Sequence, residues 1–143
     1  MLVVECEAPF LSEKVFKKTL KQVSSFLRLK KKVGVSLAFV SPTVIRRLNR
    51  EYRGVDKVTD VLSFPFNDPS MAGEVVICLD RAKKQGRQYS HSTEDEVVIL
   101  LVHGLLHLFS FDHMKKTEAE KMFTLQQKIL KSLKIDWSIP EYG

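Results

Sequence analysis

The amino-acid sequence predicts a mixed fold, class α+β or α/β, in which helices pack on one small four-stranded mixed sheet. Short runs rich in Val and Ile alternate with longer segments whose apolar residues recur at helical spacing. The 143 residues, 44% of them hydrophobic, are enough to bury a core without a disulfide framework. No internal repeat or low-complexity linker breaks the pattern, so residues 1–143 read as one domain.

Leu2 to Cys6 reads as a short strand, β-branched at Val3 and Val4, and Pro9 ends it. Ser12 and Glu13 open a helix whose apolar residues Val15, Phe16, Leu20, Val23 and Leu27 follow helical spacing. The basic run Lys30-Lys31-Lys32, read as a solvated turn, leads into a strand from Val33 to Val40. Ser41-Pro42 starts a second helix, serine as the cap and proline in the first turn, and this helix runs to about Tyr52. Gly54 to Lys57 forms a polar loop before a strand from Val58 to Phe64, and Pro65, Asn67, Asp68 and Pro69 make a turn.

Gly73 to Leu79 is the next strand, followed by a polar helix from Arg81 to Tyr89 that Gly86 weakens. Thr93, with Glu96 three residues on, has the pattern of a capping box ahead of the apolar segment Val97 to Phe109. The last helix runs from Thr117 to about Leu133, and the tail from Ile135 to Gly143 is expected to fray.

Lys plus Arg exceed Asp plus Glu by 23 to 17, a formal charge of +6. That surplus suits polyanionic partners, although a merely soluble basic protein would show it too. Cys6 and Cys78 lack the CxxC spacing of a redox or zinc motif and read as reduced thiols of a cytoplasmic protein. The first residues lack a basic, then apolar, secretory signal. The apolar run Val97 to Val102 is far too short to span a bilayer.

The stretch that carries chemistry is His103-Gly-Leu-Leu-His107-Leu-Phe-Ser-Phe-Asp-His113, which holds three of the chain's four histidines. Residues four apart on a helix lie one turn above each other, so His103 and His107 can converge on one ion. His113 can join them only if the chain turns back after His107, and Ser110-Phe-Asp is a plausible turn. Three neutral nitrogens leave zinc an open position, the arrangement of catalytic rather than structural sites. Nickel, copper or iron would also accept three imidazoles. Satisfied core or surface histidines are the bland alternative.

The spacing matches that of metzincin proteases, HExxHxxGxxH, so a metalloprotease is the natural rival. Gly104, however, stands where such a protease carries its glutamate base.

The same residues resemble the YbeY family of bacterial endoribonucleases. His103-Gly-x-Leu-His107-Leu-x-x-Phe-Asp112-His113 is similar to the family's HGxLHLxGYDH, with Ser110 and Phe111 in place of its glycine and tyrosine. Leu48-Asn49-x-x-Tyr52-Arg53-Gly54, then Thr59-Asp60-Val61-Leu62-Ser63-Phe64-Pro65, carry the second half of the resemblance. Gly73-Glu-Val-Val-Ile fits the family's strand, and Tyr89-Ser90-His91-Ser92 resembles the segment before its histidine helix.

The resemblance implies one zinc ion, or another divalent transition metal, on His103, His107 and His113. It also implies a catalytic Arg53, whose planar guanidinium suits a phosphate. Asp112 is a candidate to orient a ligand histidine or the reacting water, or else a turn residue. Thr59 and Ser63 are candidates for substrate contact. His91 reads as a cap-region histidine, with substrate contact the weaker alternative.

The implied activity is cleavage of single-stranded RNA in maturation of the 16S rRNA 3′ end and ribosome quality control. Its partners would be rRNA and the ribosome or small-subunit proteins, with no membrane. A non-catalytic, ribosome-associated RNA-binding module remains the other alternative.

Overall fold

Local capping signals place the first two helices where the sequence predicts them. In the computed structural model, which describes residues 2–5, 11–30, 34–109 and 116–137, α1 spans Glu13–Leu27 and the Ser12 hydroxyl accepts from the Val15 N–H. Helix α2 spans Pro42–Arg53. Ser41 accepts from the Val44 N–H, proline fills the first turn, and Gly54 closes the helix at φ 70. That left-handed cap is a conformation in which a side chain would be strained.

Four strands hydrogen-bond in the order β1-β2-β4-β3. Strand β1 (Leu2–Glu5) pairs parallel with β2 (Gly34–Val40), and β2 pairs parallel with β4 (Met71–Cys78). Strand β3 (Val61–Pro65) runs antiparallel to β4 and forms an edge. It begins three residues later than the run from Val58 suggests. Asp60 turns the chain there: its carboxylate accepts from the Val61 N–H at 2.8 Å, while its carbonyl accepts from the Cys78 N–H. Strand β4 passes without a loop into α3 (Leu79–Gln88).

The two faces of the sheet carry different layers. Val35, Leu37, Val61, Val75 and Ile77 point into the larger core, built around α4 (Thr93–Phe109) with α1 and α5 (Lys116–Ser132). On the opposite face Leu62, Val76 and Cys78 pack with Ile45 of α2. Helix α4 is buried along most of its length, Val97 to Val102 without a break. A segment apolar on every side is stable only when covered on every side. Truncating Leu101 or Leu105 to alanine there would cost about 2–5 kcal/mol.

Two predicted details are corrected. The cap of α4 is Ser92, not Thr93: its hydroxyl accepts from the Asp95 N–H at 3.0 Å. Glu96 therefore lies one residue past the capping position, and its carboxylate meets the His91 ring instead, at 3.2 Å. Nor does fraying begin at Ile135, although residues 138–143 of the expected tail lie outside the described residues. Ile135 and Trp137 are buried, and the Trp137 ring lies 5.1 Å from that of Phe123. Two large apolar side chains just past α5 gain more from covering the core than from hydration.

Cys78 is a buried free thiol whose pKa burial raises; Cys6 lies outside the described residues. No helix among the described residues is long and apolar enough to cross a membrane.

Candidate functional site

Helix α4 rests on the sheet through a glycine. A β-carbon at Gly104 would stand 2.7 Å from Val75 Cγ1 and 3.2 Å from Ser63 Oγ, so only glycine lets the helix approach this closely. The Ser63 hydroxyl donates to the Gly104 carbonyl at 2.6 Å, tying β3 to α4 beside the first histidine of the motif. Position 104 thus faces the sheet, which gives a physical reason for the missing glutamate of a zinc protease.

From that seat His103 and His107 meet across one helical turn. Their Nε2 atoms are 3.1 Å apart, with ring centroids at 4.6 Å. His103 Nδ1 lies 3.1 Å from Oε1 of Gln126, a buried residue of α5. With the Gln126 oxygen as acceptor, Nδ1 carries the proton and the His103 Nε2 lone pair is turned to His107. Burial pushes the His103 pKa below its ordinary value, against smaller opposing effects of the Gln126 hydrogen bond and the Asp60 charge. Burial thus favours the neutral form of the ring, the form that ligates metals.

This geometry fits a cation. Two nitrogens each about 2.05 Å from one tetrahedral zinc stand about 3.3 Å apart, close to the observed 3.1 Å. His113, Asp112, Ser110 and Phe111 lie outside the described residues. Among those described, no group of three His, Cys, Asp or Glu forms a metal cluster.

The pair opens into a cleft of about 900 Å³ that wraps around the β3 edge, within the size range of ligand sites. His103, Gly104 and His107 form one wall, Thr59 to Phe66 the floor, and Leu48, Tyr52 and Arg53 of α2 the other wall. Arg53 and Thr59 are thus brought to the same cleft as the histidines. Arg53 is exposed in the last turn of α2. Thr59 Oγ1 lies 3.4 Å from the carboxylate of Asp60. Asp60 is buried and also accepts from Gln85 Nε2 at 3.3 Å, so it braces the strand.

The ladder parity of β3 decides which backbone groups face the cleft. Cys78 donates to Asp60, Phe66 donates to Ala72, and the register pairs Leu62 with Val76. Even-numbered residues thus exchange bonds with β4, and odd-numbered residues point outward. Of the outward positions, Val61 N–H is held by Asp60 and Pro65 has no N–H. That leaves Ser63 N–H as the outward donor of Val61–Pro65 without a partner among the described residues. Ser63, which lines the cleft, carries this N–H on the open edge of β3, while its hydroxyl bonds α4.

Sequence reasoning missed Gln126 and the amide of Ser63. The first lies 23 residues from its histidine partner in a helix with no motif. The second follows from strand pairing that residue types do not reveal. His91 does not line this cleft; it sits against fully buried Glu96.

The chain is similar to known proteins over most of its length. The family model described as endoribonuclease YbeY matches residues 5–134. The chain is 38% identical to an endoribonuclease YbeY of Shouchella clausii, over 88% of this chain and 90% of that one. It is 40% identical to one of Ureaplasma parvum, over 87% and 83% respectively. A solution structure from Thermotoga maritima superposes with a TM-score of 0.60 at 25% identity, covering 94% of this chain and 92% of the other.

Proposed function

The chain belongs to the YbeY endoribonuclease family, and from that premise we propose that it is a zinc-dependent endoribonuclease acting on single-stranded RNA. In this reading residues 1–143 work as one hydrolase domain in the cytoplasm. The domain serves maturation of the 16S rRNA 3′ end and ribosome quality control, with the ribosome or small-subunit proteins as partners. The observation that carries the reading is the facing pair of imidazole nitrogens in a cleft with Arg53 on its rim.

His103 and His107 would hold the ion, with His113 as third ligand, and another divalent transition metal would suit the same nitrogens. When bound, the ion supplies Lewis acidity toward a phosphodiester oxygen and activates water at neutral pH. The remaining work belongs to the chain. Gln126 holds the His103 ring in the tautomer that presents Nε2, the task of the groups behind metal ligands generally. Ser63 Oγ and Gly104 set the height of the histidine turn above the sheet.

Arg53 would take two oxygens of the scissile phosphate and stabilise charge as it develops. The Ser63 amide is placed to donate to a further oxygen, and Thr59 lines the path beside it. Asp112 keeps its proposed role of orienting a ligand histidine or the water. Whether the attacking oxygen is water or the RNA's own 2′-OH, the same groups serve.

Metal content and cleavage of a single-stranded RNA, measured on the same samples, test this. His107→Ala should lose both metal and cleavage. Arg53→Ala should retain the metal and lose about 100-fold or more in rate. Undiminished cleavage by Arg53→Ala would remove that residue from the mechanism. Zinc-dependent cutting of peptides with RNA left intact would favour a protease. Equal rRNA binding by wild type and His107→Ala, with no cleavage by either, would leave only a binding module.

A further inference from the structure

The cleft exposes aromatic rings that the fold does not need in solvent. Among the described residues the exposed large hydrophobics are Phe26, Tyr52, Val55 and Phe66. Tyr52 and Phe66 both line the histidine cleft, with 67% and 45% of their surface open to solvent. Neither is loosely held. The Tyr52 ring meets Phe64 edge to face, centroids 5.1 Å apart and planes at 68°, and Phe64 packs into the cluster beneath α2. Phe66 is pinned at its backbone by the bond from its N–H to the Ala72 carbonyl.

Arg53 lines the cleft beside these rings, together with Asp60 and Glu74. Arg47, Arg50 and Arg53 are exposed along α2, while Arg46 is engaged by Asp56 at 2.8 Å. A ligand that matches both features must carry repeated negative charge and present flat apolar faces. A nucleic-acid strand has both, and only unpaired bases have faces free to stack on a protein ring.

We propose that Tyr52 and Phe66 form a stacking subsite for unpaired nucleobases on either side of the phosphate addressed by Arg53 and the histidines. This rests on the RNA-cleaving reading above and adds to it a source of preference for single strands. Stacking tolerates any base, so the subsite selects strand state rather than sequence.

The test is a fluorescence-anisotropy titration of the full chain with three short probes. These are a labelled single-stranded 2′-O-methyl RNA, the same strand with abasic sugars at its centre, and its duplex, each checked for intactness on a gel. Wild type should bind the base-bearing strand about tenfold more tightly than the abasic strand or the duplex. Tyr52→Ala and Phe66→Ala should each weaken the base-bearing strand by about tenfold and leave the abasic strand unchanged. In Tyr52→Trp the affinity should return, and the new indole should be quenched by the base-bearing strand alone.

Equal affinity of wild type for base-bearing and abasic strands would overturn the stacking subsite while leaving the RNA reading intact. So would alanine variants that weaken both strands alike, or an unquenched Trp at position 52. Failure of wild type to bind any of the three probes would overturn both.

Discussion

Two histidine pairings sit at opposite ends of α4, and their partners differ in kind. Just before the helix, His91 Nδ1 meets the carboxylate of Glu96 at 3.2 Å, with the ring 11% exposed and the acid fully buried. In the C-terminal half, His103 and His107 point nitrogen at nitrogen, backed by the neutral amide of Gln126. A carboxylate is an acceptor that takes up a ring N–H and closes the interaction. Two facing imidazole nitrogens have at most one proton between them, and a cation satisfies both lone pairs better. Burial alone does not separate a structural histidine from a functional one; the chemistry of its partner does.

That contrast breaks most visibly at His107. His107→Ala should reduce bound zinc to background and RNA cleavage with it, read by elemental analysis and a gel assay. His91→Ala, its counterpart at the other end, should keep full zinc stoichiometry. A variant of His91 that lost zinc as completely as one of His107 would erase the distinction.

Gln126 sharpens the same comparison at smaller amplitude. Gln126→Leu should weaken zinc binding about 10- to 100-fold in a competition titration, because the His103 ring loses its orienting acceptor. Gln126→Glu, which keeps an acceptor in place, should retain binding. Equal affinities for the two variants would show that the amide fills space and does not orient the ring.

The stability effects are smaller still. His91→Ala leaves the buried Glu96 carboxylate short of a partner and should cost about 1–3 kcal/mol in denaturant unfolding. Ser63→Ala removes one hydrogen bond between β3 and α4 and should cost about 1 kcal/mol, with zinc affinity reduced only slightly.

The sequence makes legible what depends on neighbours along the chain. Ser12, Ser41, Pro42 and Gly54 set the ends of α1 and α2 through local hydrogen bonds and backbone conformation, and they stand where those signals predict. The facing of His103 and His107 is likewise local, since helical pitch alone brings residues four apart together.

What escaped the sequence depends on tertiary contact. Val58 has the residue type of a strand, yet the Asp60 turn delays β3 to Val61. Thr93 and Ser92 both suit a cap, and the pairing of Glu96 with His91 accompanies the choice of Ser92. Ile135 and Trp137 have no local signal of the core cluster they join. Gly104 shows in sequence only the glutamate it lacks, because its role, close contact of α4 with Val75, depends on the sheet.

The account turns on a single ion shared by the two facing nitrogens. Anomalous diffraction at the zinc edge, from crystals of zinc-loaded protein, locates that ion directly. A peak about 2.0–2.1 Å from both His103 Nε2 and His107 Nε2 is the expected result. Zinc bound elsewhere, with the two rings still facing each other as a closed pair, would contradict it.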